Sequence, residues 1–184
     1  MNVVKVFIAL IIVSVFMLAD LPVGKTRQII VYSAGDDGDY TIGQDRYYVK
    51  NENGTVTDNM LYLIWQNNYS NNKGYASNGS IPNLNQQKAI EYCNAIDLAG
   101  YTNWRLPTKT ELQSLVDYSK AYPGPVIDDI FVTTTTISDF GVYWTGTNYA
   151  PETTQAWFVC FMWGYANRKP KSETNNVRCV RGDI

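Results

Sequence analysis

Proton transfer or metal binding in this 184-residue sequence would have to fall to carboxylates, Tyr, Lys or Cys. Histidine is absent, which removes the commonest general base and the commonest metal ligand. The three cysteines, Cys93, Cys160 and Cys179, form no CxxC pair, so a zinc site is not expected. Two groups of carboxylates stand out. A glycosidase needs two acids facing each other across its substrate, whereas Asp128 and Asp129 are sequence neighbours whose side chains diverge. They read as a loop cap or helix start. Asp36, Asp37 and Asp39 lack the spacing and closing glutamate of an EF-hand loop and read as a solvated acidic turn. The expectation is a protein without catalysis, metal or cofactor. Net charge is -2, so no basic field favours nucleic acid.

The N-terminus has a different composition. Lys5 precedes an apolar run from Val6 to Ala19, broken only by Ser14. Roughly 14 residues fall short of the ~20 that span a bilayer. Residues 1–19 therefore read as a secretory signal peptide, with an uncleaved anchor as the alternative. Residues 20–45 read as a linker or N-terminal extension, and 46–184 as one domain. The expected location is secreted, periplasmic or cell surface, with membrane contact only through an uncleaved N-terminal segment. Export would permit a bridge between Cys93 and Cys179. Cys160, inside the apolar stretch "WFVCFMW", would remain a buried thiol.

Periodicity and turn residues mark the backbone elements. "RQIIVY" (27–32) reads as a short strand. Tyr47–Val49 and Thr55–Thr57 read as a hairpin turned by Asn53-Gly54. "NMLYLIWQ" follows as a buried strand, and 67–83 as a polar loop. The first helix is expected over 86–98, capped by Asn85, with Ala89, Ile90, Cys93 and Ile96 inward. The second starts at a capping box, Thr108 with Glu111, presents Leu112, Leu115 and Val116 inward, and stops at "YPGP" (122–125). Three β runs follow, over 141–147, 156–163 and 176–182. Trp104, Arg105, Leu106 and Pro107, just before the capping box, read as a structural hub. Pro107 keeps Leu106 extended, Arg105 can bond turn carbonyls, and Trp104 covers the junction. Arg181-Gly182-Asp183 reads as a strand end rather than an integrin tripeptide.

"GTVTDNMLYLIWQ", "AIEYCNAIDLAGYTNWRLPTKTEL", "YWTGT", "AWFVCFMWG" and "VRCVRG", in this order, resemble the bacterial Lcl C-terminal domain family. The resemblance implies an α+β, C-type lectin-like fold: two helices packed on a small twisted antiparallel sheet with long loops. It also implies that Cys93 bonds Cys179, closing a loop of roughly 85 residues worth about 4–5 kcal/mol in the chain-entropy model. The chain departs from the family pattern in places. Leu61-Tyr62 stands where members usually carry Thr-Gly, and Thr145-Gly146 where they carry Ser-Ser. Cys160 and Met162 stand where polar residues are usual. The triplets through which C-type lectins hold calcium and sugar do not occur.

In lectin-like folds the later loops and strands form an exposed platform. Here they supply Trp144, Asn148, Tyr149, Trp163, Tyr165, Asn167, Arg168 and Lys169. Aromatic faces stack on sugar rings or partner side chains at low entropic cost, and Asn and Arg add hydrogen bonds. Arg168, Lys169 and Lys171 add a small basic cluster. Trp157, Trp65 and Trp104 read as core. The expected function is an exported adhesin-like binding module for a glycan or an extracellular protein. The alternatives are a relative of the sulfatase-modifying, formylglycine-generating enzymes, or a diversified receptor-binding protein.

Overall fold

The computed structural model describes residues 24–71, 73–77, 79–133 and 140–182. The 1–19 leader, part of the Asp- and Thr-rich loop before Gly141, and Asp183 lie outside them.

The described chain is α+β, with three helices and two sheets. One short helix, α1 (Asp37–Tyr40), is capped by Asp36, whose carboxylate accepts from Gly38 N and Asp39 N. It occupies the acidic turn. No strand forms over 27–32, a correction to the reading of that stretch. It is held from the side by Arg27, which donates to Asp117 at 2.7 Å, and by Thr26 O, which accepts from Tyr118 N.

The first sheet begins with the expected hairpin, β1 (Tyr48–Lys50) and β2 (Thr55–Asp58), turned at Gly54 with φ +81°. β3 (Leu63–Gln66) pairs with β2. "NMLYLIWQ" is thus a tight turn followed by a short strand. Asp58 makes the turn by accepting from Met60 N and Leu61 N.

The remaining elements run β4 (Asn83–Leu84), α2 (Gln86–Ala95), α3 (Lys109–Gln113), β5 (Val142–Asn148), β6 (Gln155–Cys160), β7 (Tyr165–Pro170), β8 (Asn175–Asn176) and β9 (Val180–Gly182). β9 returns to pair with β3, giving the order β1-β2-β3-β9. The second sheet has the order β4-β8-β5-β6-β7. One small antiparallel sheet was the expectation. There are two, and β5 meets β8 in parallel. "NVRCVRG" is divided between them.

Both helices are shorter than their patterns suggest. α2 ends at Ala95 with Ile96 as its C-cap in extended conformation. α3 stops at Gln113, well before "YPGP". Val116 bridges Ile127, and Asp117 N donates to Val126 O. These ladder bonds compete with a continued helix. Leu112, Leu115 and Val116 are nevertheless all fully buried.

β5 and β6 lie between two cores, so neither of their faces is free over much of their length. Tyr143 and Val159 enter a core with Val56, Trp65, Leu112 and Leu115. Trp144, Phe158 and Cys160 enter the other, with Ala89, Tyr92, Cys93 and Trp104. This explains why "AWFVCFMW" is apolar without alternation. Cys93 on α2 bonds Cys179, just before β9, with the Cα atoms 5.5 Å apart. Cys160 is buried and free, its Sγ donating to Phe140 O.

Candidate ligand-binding face

The WRLPT stretch is the hub that its composition predicts. Trp104 is buried, and its Nε1 donates to Leu98 O and Tyr101 O. Arg105 and Val180 exchange both backbone hydrogen bonds at 2.9 Å, tying the stretch to β9. Leu106 and Pro107 are buried. The capping box is complete, with Thr108 accepting from Glu111 N and Glu111 accepting from Thr108 N. One role is corrected. The Arg105 fork does not serve turn carbonyls in the main. It grips Glu111 at 2.8 and 2.6 Å, leaving only a long contact to Leu106 O. A guanidinium matches a carboxylate fork better than scattered carbonyls.

The hub also positions the side chain of Lys109. Gly146 N donates to Pro107 O at 2.7 Å and Lys109 N donates to Thr147 Oγ1 at 2.9 Å, so the start of α3 is fastened to the end of β5. Lys109 Nζ lies 4.1 Å from the centre of the Trp157 ring. Trp157 is half-buried rather than core, a second correction. The Tyr149 ring meets Trp157 edge-on at 5.8 Å, and Arg168 Cζ stands 4.3 Å from the Tyr149 ring centre. Lys109, Trp157, Tyr149 and Arg168 form one continuous cation–aromatic row.

Backbone pairing sets this geometry. Trp157 and Arg168 are directly opposite on β6 and β7, so their side chains share a face. Tyr149 is fixed by its N–H to Gln155 O at 3.0 Å, in a turn that Glu152 steadies by accepting from Thr154 and Gln155. Each exposed cation–aromatic contact contributes about 0.5–1 kcal/mol. The row is therefore held mainly by the scaffold, with Trp157 and Tyr149 both partly exposed.

The other expected residues do not all join it. Strand alternation sends Lys169 to the opposite face of β7, where Nζ lies 5.8 Å from the rings of Trp144 and Phe158 and pairs with Glu173. The basic cluster is thereby split. Trp144 is fully buried, its Nε1 donating to Leu84 O, and cannot touch a ligand. Tyr165 packs edge-on against Phe158, also away from the row. Burial and its neighbour Cys160 raise the Tyr165 phenol above its ordinary pKa. Asn167 is exposed but its Oδ1 accepts from Arg168 N. Asn148 is exposed at the end of β5, beside Tyr149. Trp163 lies in the β6–β7 turn with Tyr122. Lys109 and Trp157 escaped sequence reasoning, because a helix-start lysine and a tryptophan inside an apolar run carry no signal of exposure.

Asp128 and Asp129 each have partners within the domain. Asp128 accepts from Ile130 N and meets Arg27, and Asp129 pairs with Lys120. Among the described residues, His, Cys, Asp and Glu form no group able to hold a metal ion.

An α+β domain whose disulfide joins α2 to the segment before β9, carrying a cation–aromatic row on one sheet edge, is the class that these features define. The family model of the Lcl C-terminal domain matches residues 54–181, and the chain belongs to that family. A comparison with curated proteins found no match.

Proposed function

We propose that the protein is an exported, non-catalytic binding module that recognises a glycan through the row Lys109, Trp157, Tyr149 and Arg168. The observation that carries this reading is the continuity of the row: two cations and two rings, each within 6 Å of the next. Aromatic rings suit the apolar C–H face of a sugar. The flanking cations suit carboxylate or sulfate groups.

A C-type lectin-like arrangement is part of the proposal. It is supported by the return of β9 to β3 and by the Cys93–Cys179 link between α2 and the C-terminal strand. A binding role is also favoured over a thiol-dependent enzyme by the burial of Cys160. Thiolate chemistry needs an accessible sulfur.

The test is an array of neutral, sialylated and sulfated glycans probed with the purified protein and with Tyr149→Ala and Arg168→Ala. Binding by the wild-type protein that both substitutions weaken is expected. Equal binding by all three proteins, or none by the wild type, overturns the assignment.

A further inference from the structure

The ligand face leaves one surface unexplained. Ile29, Ile30, Val31 and Tyr32 all project outward, with Ile29 73% and Tyr32 76% exposed. Opposite them, across a cleft of about 440 Å³, stand Tyr122, 72% exposed, and Trp163, 44% exposed, with ring centres 6.1 Å apart. This band is fixed to the domain. Gln28 Nε2 donates to Ile30 O and to Asp36, Tyr32 N donates to Asp36, and Arg27 reaches Asp117. Six large apolar and aromatic side chains held toward water mark a contact surface.

The chain that leads into the band points to what covers it. The apolar run ends at Ala19, five positions before Gly24, which bridges Gln44 and leads through Lys25–Gln28 into the band. Five residues reach at most about 18 Å. We propose that the run Val6–Ala19 is retained in a lipid bilayer and that the band rests on the surface of that same bilayer. The domain is then docked on the membrane rather than swinging on a tether.

Three observations support a lipid occupant. Tyr and Trp are the side chains favoured at the membrane–water boundary. The run alone is short for a span, and apolar contact at the boundary adds to its hold. The cations on this side are already paired: Lys25 with Asp45, Arg27 with Asp117, Lys120 with Asp129. Docking therefore depends on apolar burial and needs no anionic lipid. The β6–β7 hairpin carries Trp163 in its turn, and the Trp157–Arg168 pair lies three register steps up the strands from Cys160–Tyr165. That is about 10 Å, so the row and the band occupy separate stretches of the hairpin.

The test uses the full chain in a Cys160→Ala background, reconstituted into phosphatidylcholine vesicles. Single cysteines introduced by Ile30→Cys, Tyr122→Cys or Asn148→Cys carry an environment-sensitive fluorophore. The labels at 30 and 122 are expected to shift to the blue and to be quenched by nitroxide lipid, while the label at 148 does neither. High salt leaves the shift unchanged. Labels at 30 and 122 that stay as wet as the one at 148 overturn the proposal. So does a shift that needs anionic lipid, or one that grows with protein concentration without vesicles and so assigns the band to a second copy. Failure here leaves the glycan reading intact, because the two surfaces share no residue.

Discussion

Glu111 receives both arms of the Arg105 guanidinium, at 2.8 and 2.6 Å, while its Oε2 also accepts from Thr108 N at 2.8 Å. One carboxylate thus caps α3 and locks the hub that carries Lys109. Burial pushes the Glu111 carboxyl up, but the bonds from Arg105 and Thr108 outweigh this and leave it below its ordinary value. A depressed carboxyl stabilises the fold above its unfolded pKa of about 4.3, and the contribution disappears as pH falls through the folded value. Glu111→Gln is expected to cost about 1 kcal/mol at neutral pH, given the partial exposure of Arg105, and to flatten the acid limb of stability. Urea unfolding between pH 3 and 7 measures both. An unchanged pH profile counts against the pair.

Arg27 anchors the N-terminal strap to Asp117, which is almost wholly buried. Burial raises Asp117, yet the bonds from Ser119 and Arg27 bring it net below the usual carboxylate range. Removing the cation leaves a buried carboxylate short of a partner, at a cost of about 1–3 kcal/mol. Arg27→Ala should therefore move the onset of acid unfolding to higher pH and expose residues 24–47 to protease. Tryptophan fluorescence against pH and limited proteolysis check this. Resistance equal to wild type contradicts it.

Tyr62 sits at φ +54°, a left-handed conformation, in the turn before β3. It is also exposed, so its ring contributes little packing. The residue stands where family members usually have glycine. Relief of left-handed strain is worth about 1–2 kcal/mol, and the greater freedom of unfolded glycine takes back about half. Tyr62→Gly is expected to raise stability by up to about 1 kcal/mol. A lower thermal midpoint in the variant excludes this account of the turn.

The disulfide joins residues separated by 86 positions and buried on both sides. Its loss should destabilise by up to about 4–5 kcal/mol on chain entropy. The double substitution Cys93→Ala, Cys179→Ala reads this directly in denaturant unfolding. A midpoint within error of wild type removes the clamp from the account.

Legibility in the sequence followed how local each signal was. The N-caps Asn85 and Thr108, the Gly54 hairpin and the hub were readable because each is decided within a few residues. Helix ends were not. Val116 bridges Ile127 across eleven positions, and no local rule sees that bridge. The division of "AWFVCFMWG" into β6 and a turn depends on Gly164, at φ +73° against Tyr118, Val116 and Val126. Sheet membership depends on pairing partners far away in the chain, so a second sheet was invisible. The candidate row was half legible. Tyr149 and Arg168 were chosen from residue type, but strand parity, fixed only by the β6–β7 register, separates Arg168 from Lys169 and places Trp157 beside Arg168.

Calorimetric titration with the oligosaccharide that binds best on the array distinguishes the two faces of the sheet edge. Tyr149→Ala and Trp157→Ala are expected to weaken binding tenfold or more, the equivalent of about 1.4 kcal/mol for a lost stacking surface. Tyr165→Ala, on the opposite face, should leave affinity unchanged. Loss of affinity with Tyr165→Ala, and none with Tyr149→Ala or Trp157→Ala, would place the ligand elsewhere and contradict the account.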